Sequence, residues 1–177
     1  KTLESLTNKK VYYIPQPHNI DYLHDKFYRE DRVQTILNYS APERGNDNSI
    51  IDKITKKYKI PSFSHVVKYK GPEHKQWQEF LEGIINCTYC FNLDETLYGG
   101  SMGVQCAALG ILNFGGIQES HSLLWPSLAT NDCDELEKQF DLYYKNQDLH
   151  HQAVQYAFDQ AQTIYGYESI QNRFMKM

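Results

Sequence analysis

The stretch CTYCFNLDETLYGGSMGVQCAALGILNFGG, from Cys87 to Gly116, decides how this chain folds. Together with the residues before it, the run Ile84-Ile85-Asn86-Cys87-Thr88-Tyr89-Cys90-Phe91-Asn92-Leu93 predicts a strand. Asp94 to Gly103 follows as a glycine-rich loop, and Val104-Gln105-Cys106-Ala107-Ala108-Leu109 as a helix of small residues that Gly110 ends. Ile111 to Phe114 is a second short strand, and Gly115-Gly116-Ile117-Gln118-Glu119 a second glycine turn. Adjacent glycines let the backbone turn sharply and approach a ligand with no Cβ in the way, while Ser101 caps the helix that follows. The first helical turn leaves N–H groups aimed at the loop, and with the positive end of the helix dipole these form a phosphate site. A tight turn serving only the packing of a small-residue helix would use the same residues. The second glycine turn favours the phosphate reading, because two such turns on adjacent strands face one crevice.

Working outward, helix and strand patterns alternate. Val33 to Tyr39 is a short apolar, β-branched run, and Ser40 to Asn48 supplies turn residues. Ser49 to Tyr58 places Ile50, Ile51 and Ile54 on one side, as an amphipathic helix does, and Ile60-Pro61 closes it. Phe63 to Tyr69 is the next strand, and Glu73 to Glu82 the next helix, with Trp77, Phe80 and Leu81 facing the core. Alternation of this kind predicts parallel strands joined by right-handed crossovers, hence an α/β, Rossmann-like doubly wound sheet. Ligands then sit beyond the C-terminal ends of the strands. Cys133 to Tyr144 and Leu149 to Tyr165 are helical patterns that pack on the sheet, the second with Leu149, Ala153, Ala157, Ala161 and Ile164 in one stripe.

A chain of 177 residues, 41% hydrophobic and 14% aromatic, suits one core rather than two. A net charge of −4 without a long Lys/Arg run argues against nucleic acid as a partner, so any bound anion is small. Polar residues interrupt every apolar run well before the roughly 20 needed to cross a bilayer, and no leader pattern opens the sequence. Four widely spaced cysteines form no disulfide framework, which points to a reducing cytoplasm. Lys1 to Arg32, with Tyr13-Ile14-Pro15-Gln16-Pro17-His18-Asn19, reads as a short strand and an extended connector, leaving 33–177 as the domain. A start at Lys1 without an initiator Met suggests a fragment.

Strand, glycine loop, helix with an acidic or amide residue before Ala-x-Gly, strand, and Gly-Gly-x-x-Glu form an order that resembles the C-terminal, donor-binding domain of group 1 GT-B glycosyltransferases. The resemblance spans roughly Val33 to Phe174 in element order, with its specific motifs in Asn38 to Gly45 and Glu95 to Glu119. It implies that the loop Glu95, Tyr98, Gly99, Gly100 and the helix start Ser101, Met102 cradle the diphosphate of a nucleotide-sugar, Tyr98 being the ring kept as a ligand contact. Gln105 falls where the family has a ribose-binding glutamate, and an amide still bonds hydroxyls. Leu97 stands where a companion glutamate is expected, with Glu95 two residues away. Asn38-Tyr39 replaces a Gly-Arg pair, whereas Arg44-Gly45 matches a Lys-Gly whose cation holds the diphosphate. Gly115, Gly116 and Glu119 match the motif beside the sugar and phosphates, so Arg44 and Glu119 take the catalytic roles.

The same resemblance makes Tyr13 to Asn19 the passage between two domains and the acceptor-binding N-terminal domain a missing partner. It implies hexosyl transfer to a glycan or other acceptor when that domain is joined, with no metal and no cofactor beyond the donor substrate, in the cytoplasm or beside a membrane. Loss of a glutamate at Leu97 and of one cation leaves an alternative, a non-catalytic nucleotide-binding or partner-docking α/β module. A domain with no nucleotide site at all is the third option.

Other signals carry less. Cys87-Thr88-Tyr89-Cys90 has knuckle spacing but no second pair, and lies within a strand pattern, so both are expected to be buried thiols. His150-His151, near the start of a polar helix, reads as a solvated face. There is no Gly-x-Ser-x-Gly elbow, which removes a Ser-His-Asp hydrolase. His65 and His121 have no assignment.

Overall fold

Four parallel strands in the order β2-β1-β3-β4 form the centre of the protein in the computed structural model, which describes residues 17–40, 48–66, 80–93 and 101–176. The strands are β1 (Ile36–Ser40), β2 (Ser62–Val66), β3 (Tyr89–Asn92) and β4 (Leu112–Phe114). In chain order the described helices are α1 (Ile20–Phe27), α2 (Ser49–Tyr58), α3 (Ser101–Leu109), α4 (Glu119–Leu124), α5 (Cys133–Lys145), α6 (Gln147–Tyr165) and α7 (Tyr167–Met175), with a further helical stretch over 80–84. The chain passes from β2 over β1 to reach β3, so the strand order changes direction between β1 and β3.

Register decides what each face of the sheet buries, because paired residues of parallel strands point the same way. Ile36 lies opposite Tyr89, and Tyr89 opposite Leu112, while Phe91 lies opposite Phe114. On this face Tyr89, Phe91 and Phe114 all meet the ring of Phe140 from α5, at centroid separations of 4.9, 6.0 and 5.5 Å. Tyr58, at the end of α2, joins the same cluster at 5.3 Å from Phe140. The other face carries Leu37, Tyr39, Cys90, Asn92 and Asn113. There Phe80 packs on Tyr39, and α3 brings Cys106 against Cys90. Helices therefore contact both faces.

Helix α3 is buried on every side but the one that carries half-buried Ser101 and Gln105, with Met102 to Val104 and Cys106 to Leu109 all inaccessible. It packs against α1, α4 and α6 as well as β4. Gly110 stops it in a left-handed conformation at φ 72°, where a side chain would also strike the Tyr28 ring 2.4 Å away. Of the carbonyls left open at that end, Ala108 O meets His24 Nδ1 at 3.1 Å and the next two meet one guanidinium. Arg32 donates Nε–H to Ile85 O at 2.9 Å, Nη1–H to Gly110 O at 2.7 Å, and Nη2–H to Leu109 O.

The amphipathic stripes come out as the sequence predicts: Ile50, Ile51 and Ile54 of α2, and Ala157 and Ala161 of α6, are buried. Other expectations differ: α3 begins at Ser101 rather than Val104, so Ser101 is the first residue of the helix and not its cap. β1 begins at Ile36 rather than Val33, since Val33 is exposed and precedes the pairing. β3 begins at Tyr89 rather than Ile84. Ile84 closes the helical stretch over 80–84, where Ile85 N–H donates to Leu81 O and Cys87 N–H to Ile84 O, because a continuous apolar run marks a buried helix end as readily as a strand. The expected connector over 1–32 contains α1, capped by the Asn19 side chain and anchored by buried Ile20 and Leu23; residues before 17 lie outside the described ones. His150 is buried against Tyr89, not solvated, while His151 is exposed. Cys87 and Cys90 are buried free thiols, as expected. None of the described helices is long and apolar enough to cross a membrane.

Candidate functional site

Parallel strands deliver their C-terminal ends, and the loops that follow, to one edge of the sheet. Tyr39 lies opposite Asn92, and Phe91 opposite Phe114, so β1, β3 and β4 finish level with one another. The chain leaves β3 at Leu93 and is next described at Ser101, the first residue of α3. Ser101 and Gln105 are half-buried and one helical turn apart, hence on one face of α3, whereas Met102 is buried. Asn38 is buried on β1, and its Oδ1 has no hydrogen-bond partner among the described residues. Tyr39 is half-buried against Phe80.

The second glycine turn is held in a conformation that only glycine adopts easily. Gly115 and Gly116 have φ of 81° and 82°. A Cβ on Gly115 would lie 2.8 Å from the Asn92 carbonyl oxygen, and one on Gly116 3.0 Å from the His121 ring. Both backbone donors are engaged within the protein: Gly115 N–H donates to Leu128 O and Gly116 N–H to the Asn131 side-chain oxygen, each at 2.9 Å. Close packing alone thus accounts for both glycines, and donors for a ligand at this edge come from elsewhere.

His121 occupies the space between the two glycine segments. Its buried ring lies 3.1 Å from where a Cβ on Gly103, in the first turn of α3, would stand, and beside Gly116 on its other flank. The Asn92 side-chain amide lies 3.3 Å from His121 Nε2, within hydrogen-bond distance. Trp125 completes the clamp, donating its backbone N–H to His121 O at 2.7 Å and its indole N–H to Gly103 O at 3.3 Å. The end of β3, the start of α3 and the Gly115-Gly116 turn are thereby fixed to one imidazole. A histidine two residues into a short helix gives no sequence signal for that role, and neither does an asparagine that ends an apolar strand.

Of the residues picked from sequence, Asn38, Tyr39, Ser101, Met102, Gln105, Gly115 and Gly116 belong to this edge or to the elements leaving it. Glu119 is the first residue of α4, which follows the glycine turn. Arg44, Gly45, Glu95, Tyr98, Gly99 and Gly100 lie outside the described residues. Among the described residues no three His, Cys, Asp or Glu side chains cluster as metal ligands do. No family model matches the chain, and no curated protein matches it.

Proposed function

We propose that the chain is the donor-binding half of a GT-B glycosyltransferase, a doubly wound domain that takes a nucleotide-diphosphate sugar at the C-terminal edge of its sheet. The observation that carries the reading is the start of α3. Its first turn comes next in the described chain after β3, next to the point between β1 and β3 where strand order reverses. At such switch points the loops diverge and leave a crevice, and a helix N-terminus there favours an anion. In this reading Ser101 and the α3 N–H groups face the diphosphate, and Gln105, one turn along, reaches the ribose hydroxyls. Arg44 supplies the cation and Glu119 faces the sugar. Stabilising the departing diphosphate is the principal catalytic effect available to such a set.

A second reading, a nucleotide-binding or partner-docking module without turnover, draws support from the internal use of the Gly115 and Gly116 donors. Joining the chain to an acceptor domain and assaying transfer from labelled uridine and guanosine diphosphate sugars separates the two. Transfer abolished by Arg44→Ala and by Glu119→Gln supports the enzyme. Donor binding without transfer supports the module.

A further inference from the structure

Gly103 is the third residue of α3, inside a helix where alanine is the better former. Unlike Gly110, Gly115 and Gly116 it has no positive φ, so backbone conformation does not call for glycine there. The His121 ring does. A Cβ on Gly103 would stand 3.1, 3.2 and 3.3 Å from its Cε1, Nε2 and Nδ1. Trp125 holds the same residue through its carbonyl, with the indole N–H 3.3 Å from Gly103 O. A buried imidazole and a buried indole thus meet the backbone of the first turn of α3 directly.

The same two side chains fix where α4 lies. His121 is the third residue of α4, and Trp125 caps its C-terminal end. On the ring's other flank, a Cβ on Gly116 would stand 3.0 Å from Cγ and Cδ2, so the chain entering α4 is set against the same imidazole. Asn92 reaches Nε2 from the end of β3. Close-packed interiors transmit displacement, so the α3 first turn and the segment from Gly116 to Glu119 cannot shift independently while the ring stands between them. In the donor-binding reading the first holds the diphosphate and the second the sugar. A misplacement of about 1 Å between two such elements is enough to lose much of what each contributes.

We propose that His121 is a positioning residue for the donor, holding the α3 first turn and the Gly116–Glu119 segment at the separation that lets one ligand span diphosphate and sugar. This role rests on the donor-binding reading, and its test separates the two. Calorimetry on the full chain with uridine diphosphate glucose and guanosine diphosphate mannose, each beside its bare nucleoside diphosphate, gives a ratio of two constants. A bare diphosphate needs the α3 turn alone, whereas a sugar donor needs both elements. His121→Ala should therefore weaken the sugar donor more than the bare diphosphate, shifting the ratio about threefold or more. Loss of folded protein alone weakens both equally and leaves the ratio unchanged, as expected for Ile54→Ala, a buried truncation in α2. Gly103→Ala presses a methyl on the ring while favouring the helix, so it keeps the fold and should move the ratio in the same direction. A ratio shifted less than about threefold in His121→Ala and unmoved in Gly103→Ala, or unmoved in Gly103→Ala where His121→Ala does not fold, overturns this role and leaves the donor reading standing. An equal shift in Ile54→Ala overturns it too. A parent chain that binds none of the four ligands overturns both.

Discussion

At the scale of single residues, the C-terminal edge depends on side chains that crowd one another. Replacing Gly115 by Ala puts a methyl against the Asn92 carbonyl at a positive φ, a strain of about 1–3 kcal/mol that urea unfolding will register. Gly116→Ala meets a side chain rather than backbone, so its cost should be the smaller of the two. His121→Ala removes a buried ring and the Asn92 bond together, and a loss of about 2–4 kcal/mol is expected. His150 makes stability depend on pH. Burial, with His151 and Arg32 nearby, lowers its pKa from 6.5 to about 4, so between those values the unfolded chain binds the extra proton. Stability from this residue is complete above pH 6.5 and falls as pH drops toward 4, by on the order of 3 kcal/mol. Urea midpoints at pH 7 and pH 5 should differ less in His150→Phe than in the parent protein.

At the scale of elements, α1 and Arg32 tie the approach segment to the rest. Leu23 is 3% exposed at the contact of α1 with α3 and α6, and Leu23→Ala should cost about 2–5 kcal/mol by thermal or urea unfolding. An equal stability for the variant would mean that α1 is peripheral. Helices with a two-sided pattern were legible in the sequence: α2 runs over Ser49–Tyr58 as its isoleucines predict, and α5 begins at Cys133. The stripe of α1 was legible too, in Ile20, Leu23 and Phe27 behind Asn19, but nearby prolines argued for an extended chain. Ile84 and Ile85 were not legible as a helix end. Apolar residues run unbroken from there toward β3, and neither periodicity nor composition marks the change of element.

At the scale of the whole molecule, the parallel order β2-β1-β3-β4 follows from alternating helix and strand patterns, and the positions of β3, α3 and β4 from the glycines between them. Glycine content has two physical causes, however, and sequence cannot separate them. At Gly115 and Gly116 crowding by Asn92 and His121 is a sufficient cause, and at Gly110 the end of α3 against Tyr28 is another. His121 and Asn92 could not be chosen in advance, since their roles arise from contacts between elements distant in sequence. The donor-binding account then rests on what the α3 start and its neighbouring loops hold. Calorimetric titration of uridine and guanosine diphosphate sugars into the chain tests this most directly. Saturable binding of one donor, weakened about tenfold by Gln105→Ala, is the predicted result; no heat from any of them at millimolar concentration would contradict it.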